Sequence, residues 1–339
     1  MVAVVVQKPH VLTLGRDEKS DPAAGEVVVR VARAGICGSD MHILHGSNPF
    51  AKYPRVIGHE FSGTVESVGS GVTSVHPGDR VVVDPVVACG HCYPCRIGRP
   101  NVCANLEVIG VHRDGGFRRW VALPAANAIP VPAAMPFAVA AMAEPFSIAA
   151  NVLSRTGIRG DDTVLIYGAG MIGLTILLTA RLEGARCIVA DIDDDRLKRA
   201  RDLGAERTVN SKAEPLSRAL ADENDGLGPS LVIDAAGAPG LLEEATRLAC
   251  PAGRIGLLGF TVTPSPVVQQ EIVKKELTIC GSRLNRHLLP EVVSRFTDGR
   301  IDPSPLITQV FPARKAAEAF ALLERTPGAA VKVQLDFSD

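Results

Sequence analysis

The sequence predicts a two-domain α/β protein, with a β-rich, barrel-like domain and a second domain built on a doubly wound parallel sheet. Three observations support this. The chain has 339 residues, a length typical of two domains, and 46% of them are hydrophobic, which suffices for two cores. The first third alternates valine-rich runs with glycine and proline. From about Asp161, apolar runs alternate with helical stretches.

The first β-rich segment contains EVVVRVARAG, then FSGTVESVGSGVTSVHPGDRVVVDP, and later the strand-like residues around RRWVAL. The second segment reads TVLIYGAG, MIGLTILLTARLEGA, RCIVADID and DDRLKRARDLGA, which is a βαβ pattern. Further continuous apolar runs at LVIDAAG, GRIGLLGF and LTICGS extend one parallel sheet covered on both faces. After Ser282 the pattern stops. We therefore predict one domain from residues 1–150 and 283–339, and another from residues 151–282.

Charge and hydropathy exclude several classes of function. The formal net charge is -1 and no Lys/Arg run is present, so a nucleic-acid partner is not expected. We expect the ligand to be a small molecule instead. The apolar stretch 125–153 is interrupted by four prolines and by Glu144, which argues against a membrane span. The opening MVAVVV lacks the basic region of an export signal, so we expect a cytoplasmic protein.

A polar stretch, CGHCYPCRIGRPNVC, carries the first metal-binding pattern. Its four cysteines are Cys89, Cys92, Cys95 and Cys103. The spacing and the intervening Gly and Pro residues favour a tetrahedral zinc site, with an iron-sulfur site or two disulfides as alternatives. Four thiolates leave no open coordination position, so the predicted role of this zinc is structural.

A glycine-rich turn follows the strand TVLIY. It reads Gly168-Ala169-Gly170-Met171-Ile172-Gly173. A G-x-G-x-x-G between a strand and a helix binds the pyrophosphate of a dinucleotide. Asp191 ends the next strand, where a carboxylate binds the adenosine ribose hydroxyls and repels a 2′-phosphate, so NAD is predicted over NADP. Arg196 lies close enough to contact the same ribose.

Three residues upstream of the cysteine stretch suggest a second, open zinc site. GICGSDMHILHG and VIGHEFSGTV supply Cys37, His59 and Glu60. A catalytic zinc uses three protein ligands and keeps one position for water or substrate. Glu144 is an alternative third ligand, because a carboxylate in the apolar AMAEPFSIAA needs a cationic partner.

The order GxCGSDxH, GHE, four-cysteine loop, EPF and GxGxxG resembles that of the zinc-dependent medium-chain alcohol and polyol dehydrogenases over nearly the whole chain. The resemblance implies a GroES-like barrel domain and a Rossmann domain, with two zinc ions per chain. It also implies Cys37, His59 and Glu144 as zinc ligands, with Glu60 able to exchange with Glu144.

The resemblance assigns further roles. Asp40 would orient His59, and Ser39 would pass the substrate proton through the cofactor ribose to His42. The nicotinamide half of the cofactor would lie along five residues, Gly259, Phe260, Gly281, Ser282 and Arg283. Family members form dimers or tetramers, so we expect a homodimer or homotetramer.

The stretch DPVVACGHCYPCRIGRPNVCANLEVIGVHRDGGF, with HGSNPF upstream, is most similar to sugar-acid dehydrogenases that oxidise L-galactonate or L-gulonate at carbon 5. A sugar-acid carboxylate needs a cation, and the candidates are Arg113, Arg118, Arg119 and Arg283. Phe50 is a candidate pocket wall. The alternatives are a polyol or L-threonine dehydrogenase and, more remotely, an NAD-binding regulatory protein without turnover.

Overall fold

The structure is a computed structural model that describes residues 2–326, 328 and 330–338. Within these residues the strands are β1 Val2–Lys8, β2 Val11–Arg16, β3 Glu26–Ile36, β4 Arg55–Val56, β5 Glu60–Val68, β6 Arg80–Val83, β7 Val86–Val87, β8 Glu107–Val108, β9 Trp120–Pro124, β10 Ala128–Pro130, β11 Thr163–Tyr167, β12 Arg186–Asp191, β13 Arg207–Asn210, β14 Leu231–Asp234, β15 Arg254–Leu257, β16 Thr278–Gly281, β17 Ile307–Pro312 and β18 Lys332–Asp336.

The helices of the described residues are α1 Gly38–Leu44, α2 Tyr93–Arg96, α3 Phe137–Ala141, α4 Ala143–Thr156, α5 Met171–Leu182, α6 Asp194–Asp202, α7 Leu216–Ala219, α8 Leu241–Leu248, α9 Gln269–Lys275, α10 Leu289–Thr297 and α11 Ala316–Arg325. The run Phe137–Thr156 is long and apolar enough to cross a membrane, but 72% of it is buried inside the protein, as in a core helix.

The chain forms two compact units. The first contains the residues up to Glu144 together with those from Asn285 onward, and the second contains Pro145–Leu284. The first boundary thus lies a few residues before position 150, and the second lies just after position 282. The first unit is discontinuous in sequence.

The first unit is built around the long strand β3. Strand β5 pairs along one edge of β3, while β9 and β18 pair with different halves of the opposite edge. The sheet continues outward through β6 and β10 on one side and β17 on the other. Valines at positions 27, 28 and 29 are buried, as the valine-rich pattern predicts. Because β18 returns beside β3, the end of the chain completes this sheet.

The second unit is a six-stranded parallel sheet in the order β13-β12-β11-β14-β15-β16. The order reverses at β11, so the carboxyl ends of β11, β12 and β14 border one crevice, the usual ligand site of such sheets. A buried core that includes Leu165, Tyr167, Ile188 and Val232 packs against Leu216 of α7 and Ala245 of α8. The continuous apolar runs of the sequence form these strands.

Candidate active site

The four cysteines of the predicted closed site lie together in the first unit, on the segment that contains α2. One ligand atom from each of the four lies within 4.8 Å of the others. The Cys92 Sγ is 3.4 Å from the Cys95 Sγ and 3.7 Å from the Cys103 Sγ. Sulfurs around a tetrahedral zinc with bonds of about 2.3 Å lie about 3.8 Å apart. The arrangement fits zinc, and the described cysteines form no disulfide.

Backbone N–H groups surround these sulfurs. Cys89 and Asn105 donate to the Cys103 Sγ at 3.3 Å, and Ala104 donates to the Cys92 Sγ at 3.4 Å. The backbone N–H groups of Ala104 and Cys95 lower the pKa of the Cys92 thiol to about 6, whereas desolvation and the adjacent Cys92 raise the pKa of Cys95 to about 12. Crowded thiols cannot all ionise without a cation between them. The loop is therefore arranged for a metal ion.

The second ligand cluster consists of Cys37, His59 and Glu60, whose ligand atoms also lie within 4.8 Å of one another. Cys37 follows β3 and caps α1, while His59 directly precedes β5 and Glu60 begins it. The register of β3 and β5 sets Gly35 opposite Glu60. A Cβ atom at Gly35 would overlap the Glu60 carboxylate, so glycine makes room for this side chain.

Asp40 holds the two loops of this cluster together. Its buried carboxylate accepts the Cys37 N–H at 2.9 Å and the Gly58 N–H at 3.1 Å, and it lies 3.7 Å from Nδ1 of His59. Burial disfavours a charged imidazole, but Asp40 and then Cys37 outweigh it and hold the pKa of His59 well above its usual value. The cluster is strongly negative and suits a cation. A carboxylate beside Nδ1 also directs Nε2 toward a metal.

Sequence reasoning missed Lys332, which is 2% exposed. Its ammonium donates to both oxygens of Glu60, at 2.6 and 2.8 Å, and to the carbonyl oxygen of Ile36 at 3.1 Å. The available signal was the pair of polar residues at alternate positions of the last strand, Lys332 and Gln334, both of which are buried. Glu60 is thus shared between the ligand cluster and a buried lysine.

Glu144 is buried beside this cluster but lies outside the three-residue ligand group. Burial raises the pKa of its carboxyl group to about 8, while nearby His59 acts in the opposite direction. The structure therefore brings Glu60, rather than Glu144, together with Cys37 and His59.

Ser39 and His42, the residues of the expected proton relay, both lie on α1. The Ser39 hydroxyl is 3.3 Å from Nε2 of His59, the ring nitrogen opposite Asp40. His42 is exposed, and its Nδ1 lies 3.0 Å from the Ser47 hydroxyl. The hydroxyl therefore sits on the metal-facing side of His59, and the imidazole of His42 meets solvent.

The glycine turn of the second unit has the predicted form. Gly168 has a φ of +94°, and a Cβ atom at Gly173 would overlap the Gly168 carbonyl oxygen. Helix α5 begins directly after Gly170, which places its free N–H groups at the turn, and Ile172 lies in its first turn.

A cavity of about 350 Å³ borders this turn and is lined by Gly168, Gly170, Asp191 and Arg196, among others. The Asp191 carboxylate accepts the Ala169 N–H and the Ile192 N–H, both at 2.7 Å, and lies 3.9 Å from the Arg196 guanidinium. Backbone donors therefore fix the carboxylate at the cavity wall.

The expected nicotinamide-side residues lie at the carboxyl ends of two neighbouring strands. Gly259 and Phe260 follow β15, and Ser282 and Arg283 follow β16. Phe260 is 72% exposed, and the Arg283 guanidinium lies 5.8 Å from its ring centre. These residues do not line the 350 Å³ cavity. They share the carboxyl edge of the sheet with Asp191.

The substrate candidates differ in their surroundings. Arg118 donates to the buried carboxylate of Asp17, at 2.7 and 2.8 Å, so its guanidinium already has a carboxylate partner within the protein. Arg113 lies 3.9 Å from Glu26. Phe50 is partly exposed, with its ring 5.6 Å from that of His112.

Comparison with known proteins agrees with this arrangement. The family model for the alcohol dehydrogenase GroES-like domain matches residues 23–133, and that for the zinc-binding dehydrogenases matches residues 172–298. The starvation-sensing protein RspB of Escherichia coli K12 is 49% identical over the full length of both chains. The chain belongs to the zinc-type alcohol dehydrogenase family. This confirms the predicted fold class and the predicted oxidoreductase activity.

Within this zinc-type alcohol dehydrogenase family, a solved structure of RspB from E. coli CFT073 with NADH has a TM-score of 0.95 and 48% identity, covering 99% of each chain. The L-galactonate-5-dehydrogenase of E. coli K12 is 32% identical over 94% of both chains. The L-threonine 3-dehydrogenase of Pyrococcus abyssi is 35% identical over 95% of both chains. The family thus includes relatives named for different substrates.

Proposed function

We propose that this dehydrogenase oxidises a secondary hydroxyl of a small sugar acid, of the L-galactonate or L-gulonate type, at carbon 5, with NAD as hydride acceptor. The observation that carries this proposal is the cluster of Cys37, His59 and Glu60, with the Ser39 hydroxyl on its metal-facing side. A protein that only bound ligands would need neither the open ligand set nor the hydroxyl.

Two zinc ions would be held by the chain. The four cysteines Cys89, Cys92, Cys95 and Cys103 would bind a structural ion, and Cys37, His59 and Glu60 a catalytic one, with Glu144 nearby. When bound, zinc supplies Lewis acidity toward a substrate hydroxyl, and the dinucleotide supplies the hydride acceptor. The protein residues position the hydroxyl and move its proton.

In this proposal the substrate hydroxyl donates to the Oγ of Ser39, which is held beside His59. Ser39 would pass its own proton on, with the ribose of a bound dinucleotide as the bridge, to His42, which lies one helical turn further on, is exposed and would release the proton to solvent. Asp40 keeps His59 oriented through Nδ1.

The preference for NAD rests on Asp191, whose carboxylate lines the cavity at the end of β12. A carboxylate there accepts two ribose hydroxyls and repels a 2′-phosphate. The Arg196 guanidinium lies 3.9 Å from the Asp191 carboxylate and weakens its repulsion of a 2′-phosphate. The carboxylate itself remains at the ribose position and keeps its negative charge there. We therefore expect binding of NADH to exceed that of NADPH.

The choice of a sugar acid is supported by the likeness to L-galactonate-5-dehydrogenase and by Arg283 at the carboxyl edge of the sheet, a donor suited to a carboxylate. The second candidate substrate class is L-threonine or a polyol. It is supported by the likeness to L-threonine 3-dehydrogenase and by the buried carboxylates around the ligand cluster.

The experiment is a rate survey with the zinc-loaded protein and NAD, comparing L-galactonate, L-gulonate, sorbitol and L-threonine at equal concentrations. The expected result is a kcat/KM for one sugar acid at least about ten-fold above that for L-threonine and sorbitol. A preference for threonine or sorbitol would replace the proposed substrate. No NAD reduction with any hydroxyl compound would favour a regulatory role.

We also propose that the protein is a cytoplasmic homodimer or homotetramer. Strand β16 is an edge of the parallel sheet, and Val262, Val268 and Val273 in the segment before it are exposed. An open sheet edge with exposed apolar side chains suits pairing with a second copy. Light scattering on the purified protein tests this, since a monomer at micromolar concentration would contradict it.

A further inference from the structure

Helix α4 carries a buried amide that none of the proposed binding or proton-transfer steps uses. Asn151 lies in the second half of this helix and is 0% exposed. Asparagine is a weak helix former and its amide is costly to bury, so a helix that packs into a core normally has an apolar residue at such a position. Residues that break this rule occur mainly at functional sites. The contacts of Asn151 therefore bear on its role.

The Asn151 amide binds one short segment, residues 282–284, which directly follow β16. Its Nδ2 lies 3.1 Å from the Ser282 hydroxyl, 3.2 Å from the Arg283 carbonyl oxygen and 2.8 Å from the Leu284 carbonyl oxygen. Carbonyl oxygens only accept, so the amino end of the amide faces them. The Asn151 Oδ1 is buried and has no hydrogen-bond partner among the described residues. The side chain thus satisfies segment 282–284 and leaves its own acceptor unpaired, at a cost in stability.

The backbone of segment 282–284 is strained at one end. Leu284 has a φ of +49°, a left-handed conformation that is unfavourable for leucine. Its carbonyl oxygen receives the shortest of the three Asn151 hydrogen bonds. At the other end, the Ser282 N–H donates to the Leu257 carbonyl oxygen of β15 at 2.8 Å. The sheet therefore holds the start of the segment, and Asn151 holds its strained end.

These hydrogen bonds also orient a backbone donor. In a trans peptide, the C=O group and the N–H group of the next residue point in opposite directions. Because the Arg283 C=O points toward Asn151 of α4, the Leu284 N–H points away from that helix. Within the part of the chain that the structure describes, the Leu284 N–H donates to no backbone carbonyl. Asn151 thus presents a donor on the side of the segment that faces away from α4.

We propose that Asn151 is a positioning residue for the nicotinamide end of the cofactor. By holding segment 282–284, it fixes the backbone along which the nicotinamide carboxamide would lie, and it turns the Leu284 N–H toward that group. A carboxamide both donates and accepts, so its binding depends on how backbone groups are placed. The inference rests on the proposed dinucleotide binding and deepens it. The adenosine half, at the glycine turn and Asp191, is independent of Asn151.

The test measures binding of NADH and of ADP-ribose, which lacks the nicotinamide ring, to the full-length protein by calorimetry. The parent protein should bind NADH at least about ten-fold more tightly, since one or two hydrogen bonds are worth about that factor. Asn151→Leu keeps a branched side chain and removes the amino group. It should weaken NADH binding about ten-fold and leave ADP-ribose binding within about two-fold of that of the parent. A purely structural role would weaken both ligands alike.

A second variant, Asn151→Ala, keeps the test available if the leucine variant fails to fold. It leaves room for a water molecule to donate to the two carbonyl groups, so NADH binding should weaken only about three-fold. The matched control is Thr156→Val. Thr156 is also buried on α4, but its hydroxyl donates within the helix, to the Val152 carbonyl oxygen at 2.8 Å. This control should leave both dissociation constants unchanged.

Unchanged NADH binding in the Asn151 variants, or an equal loss for NADH and ADP-ribose, would overturn the inference. Equal binding of the two ligands by the parent protein would overturn it as well, because the nicotinamide would then add nothing to binding. A parent protein that binds neither ligand would overturn the proposed dinucleotide binding and this inference with it.

Discussion

The two ligand clusters of the first unit bring thiol and carboxyl groups close together, and the two differ in which neighbouring groups stabilise the negative charge. The loop of Cys89, Cys92, Cys95 and Cys103 has three partly exposed cysteines, and backbone N–H groups donate to its sulfurs. The cluster of Cys37, His59 and Glu60 includes a buried imidazole and a buried carboxylate, and each has a charged side chain as its partner: Asp40 lies beside His59, and the ammonium of Lys332 compensates Glu60.

This difference matches the two proposed roles, a structural site for the four cysteines and a catalytic site for Cys37, His59 and Glu60. A closed thiolate loop near solvent needs only its own backbone to fold around an ion. A buried mixed cluster needs charged partners from distant parts of the chain, and those partners leave one candidate ligand, Glu60, divided between the proposed metal and an ammonium. The following predictions test each side of the contrast.

The largest expected effect is the loss of turnover in Cys37→Ala. Removing this thiolate leaves the open cluster without a ligand, and kcat should fall on the order of 10⁴-fold. Circular dichroism and NADH binding should match those of the parent protein. Normal turnover in this variant would show that the chemistry lies elsewhere.

Lys332→Met should destabilise the protein by about 3–5 kcal/mol, because it leaves the buried Glu60 carboxylate without its ammonium. Urea denaturation of the zinc-free protein measures this. Adding Glu60→Gln should recover much of the loss. The control is Lys315→Met, which removes an exposed lysine paired with Glu318 and should change stability little. A Lys332→Met variant as stable as the parent would contradict the proposed compensation of Glu60 by Lys332.

Cys95→Ala should lower the free energy of unfolding of the zinc-loaded protein by about 2 kcal/mol, while turnover at low temperature stays close to that of the parent. Thermal denaturation and zinc content measure the effect. Cys280→Ala, outside both clusters, is the control. Loss of activity with an unchanged melting temperature would reverse the roles assigned to the two clusters.

The smallest effect concerns Asp84, which directly follows β6 and influences Glu144 electrostatically. Its carboxylate lies 3.5 Å from Nδ1 of the exposed His287 and raises the pKa of that imidazole. Because the folded-state pKa is raised, the stabilisation is fully present below the ordinary histidine pKa and is lost as pH rises through the folded value. Proton NMR titration should show a lower His287 pKa in Asp84→Asn. An unchanged His287 pKa would show that Asp84 does not raise it.

Local patterns predicted the parts of the molecule that depend on local geometry. The cysteine spacing and the turn from Gly168 to Gly173 are each contained in a single segment, so the sequence was sufficient to identify them. The ion pairs between residues far apart in the chain could not be predicted from the sequence. Lys332 meets Glu60 across 272 residues, and Arg118, a candidate substrate ligand, is bound by Asp17. Such pairs depend on strand order, which no local spacing encodes.

The position of Lys332 in β18 means that Glu60 is synthesised well before its ammonium partner. During synthesis, Cys37, His59 and Glu60 leave the ribosome long before the lysine that partners Glu60. Strand β18 can insert beside β3 only after some 270 further residues have been made, since Lys332 lies 272 residues beyond Glu60. Until then the buried carboxylate of Glu60 in a nascent chain has no ammonium partner.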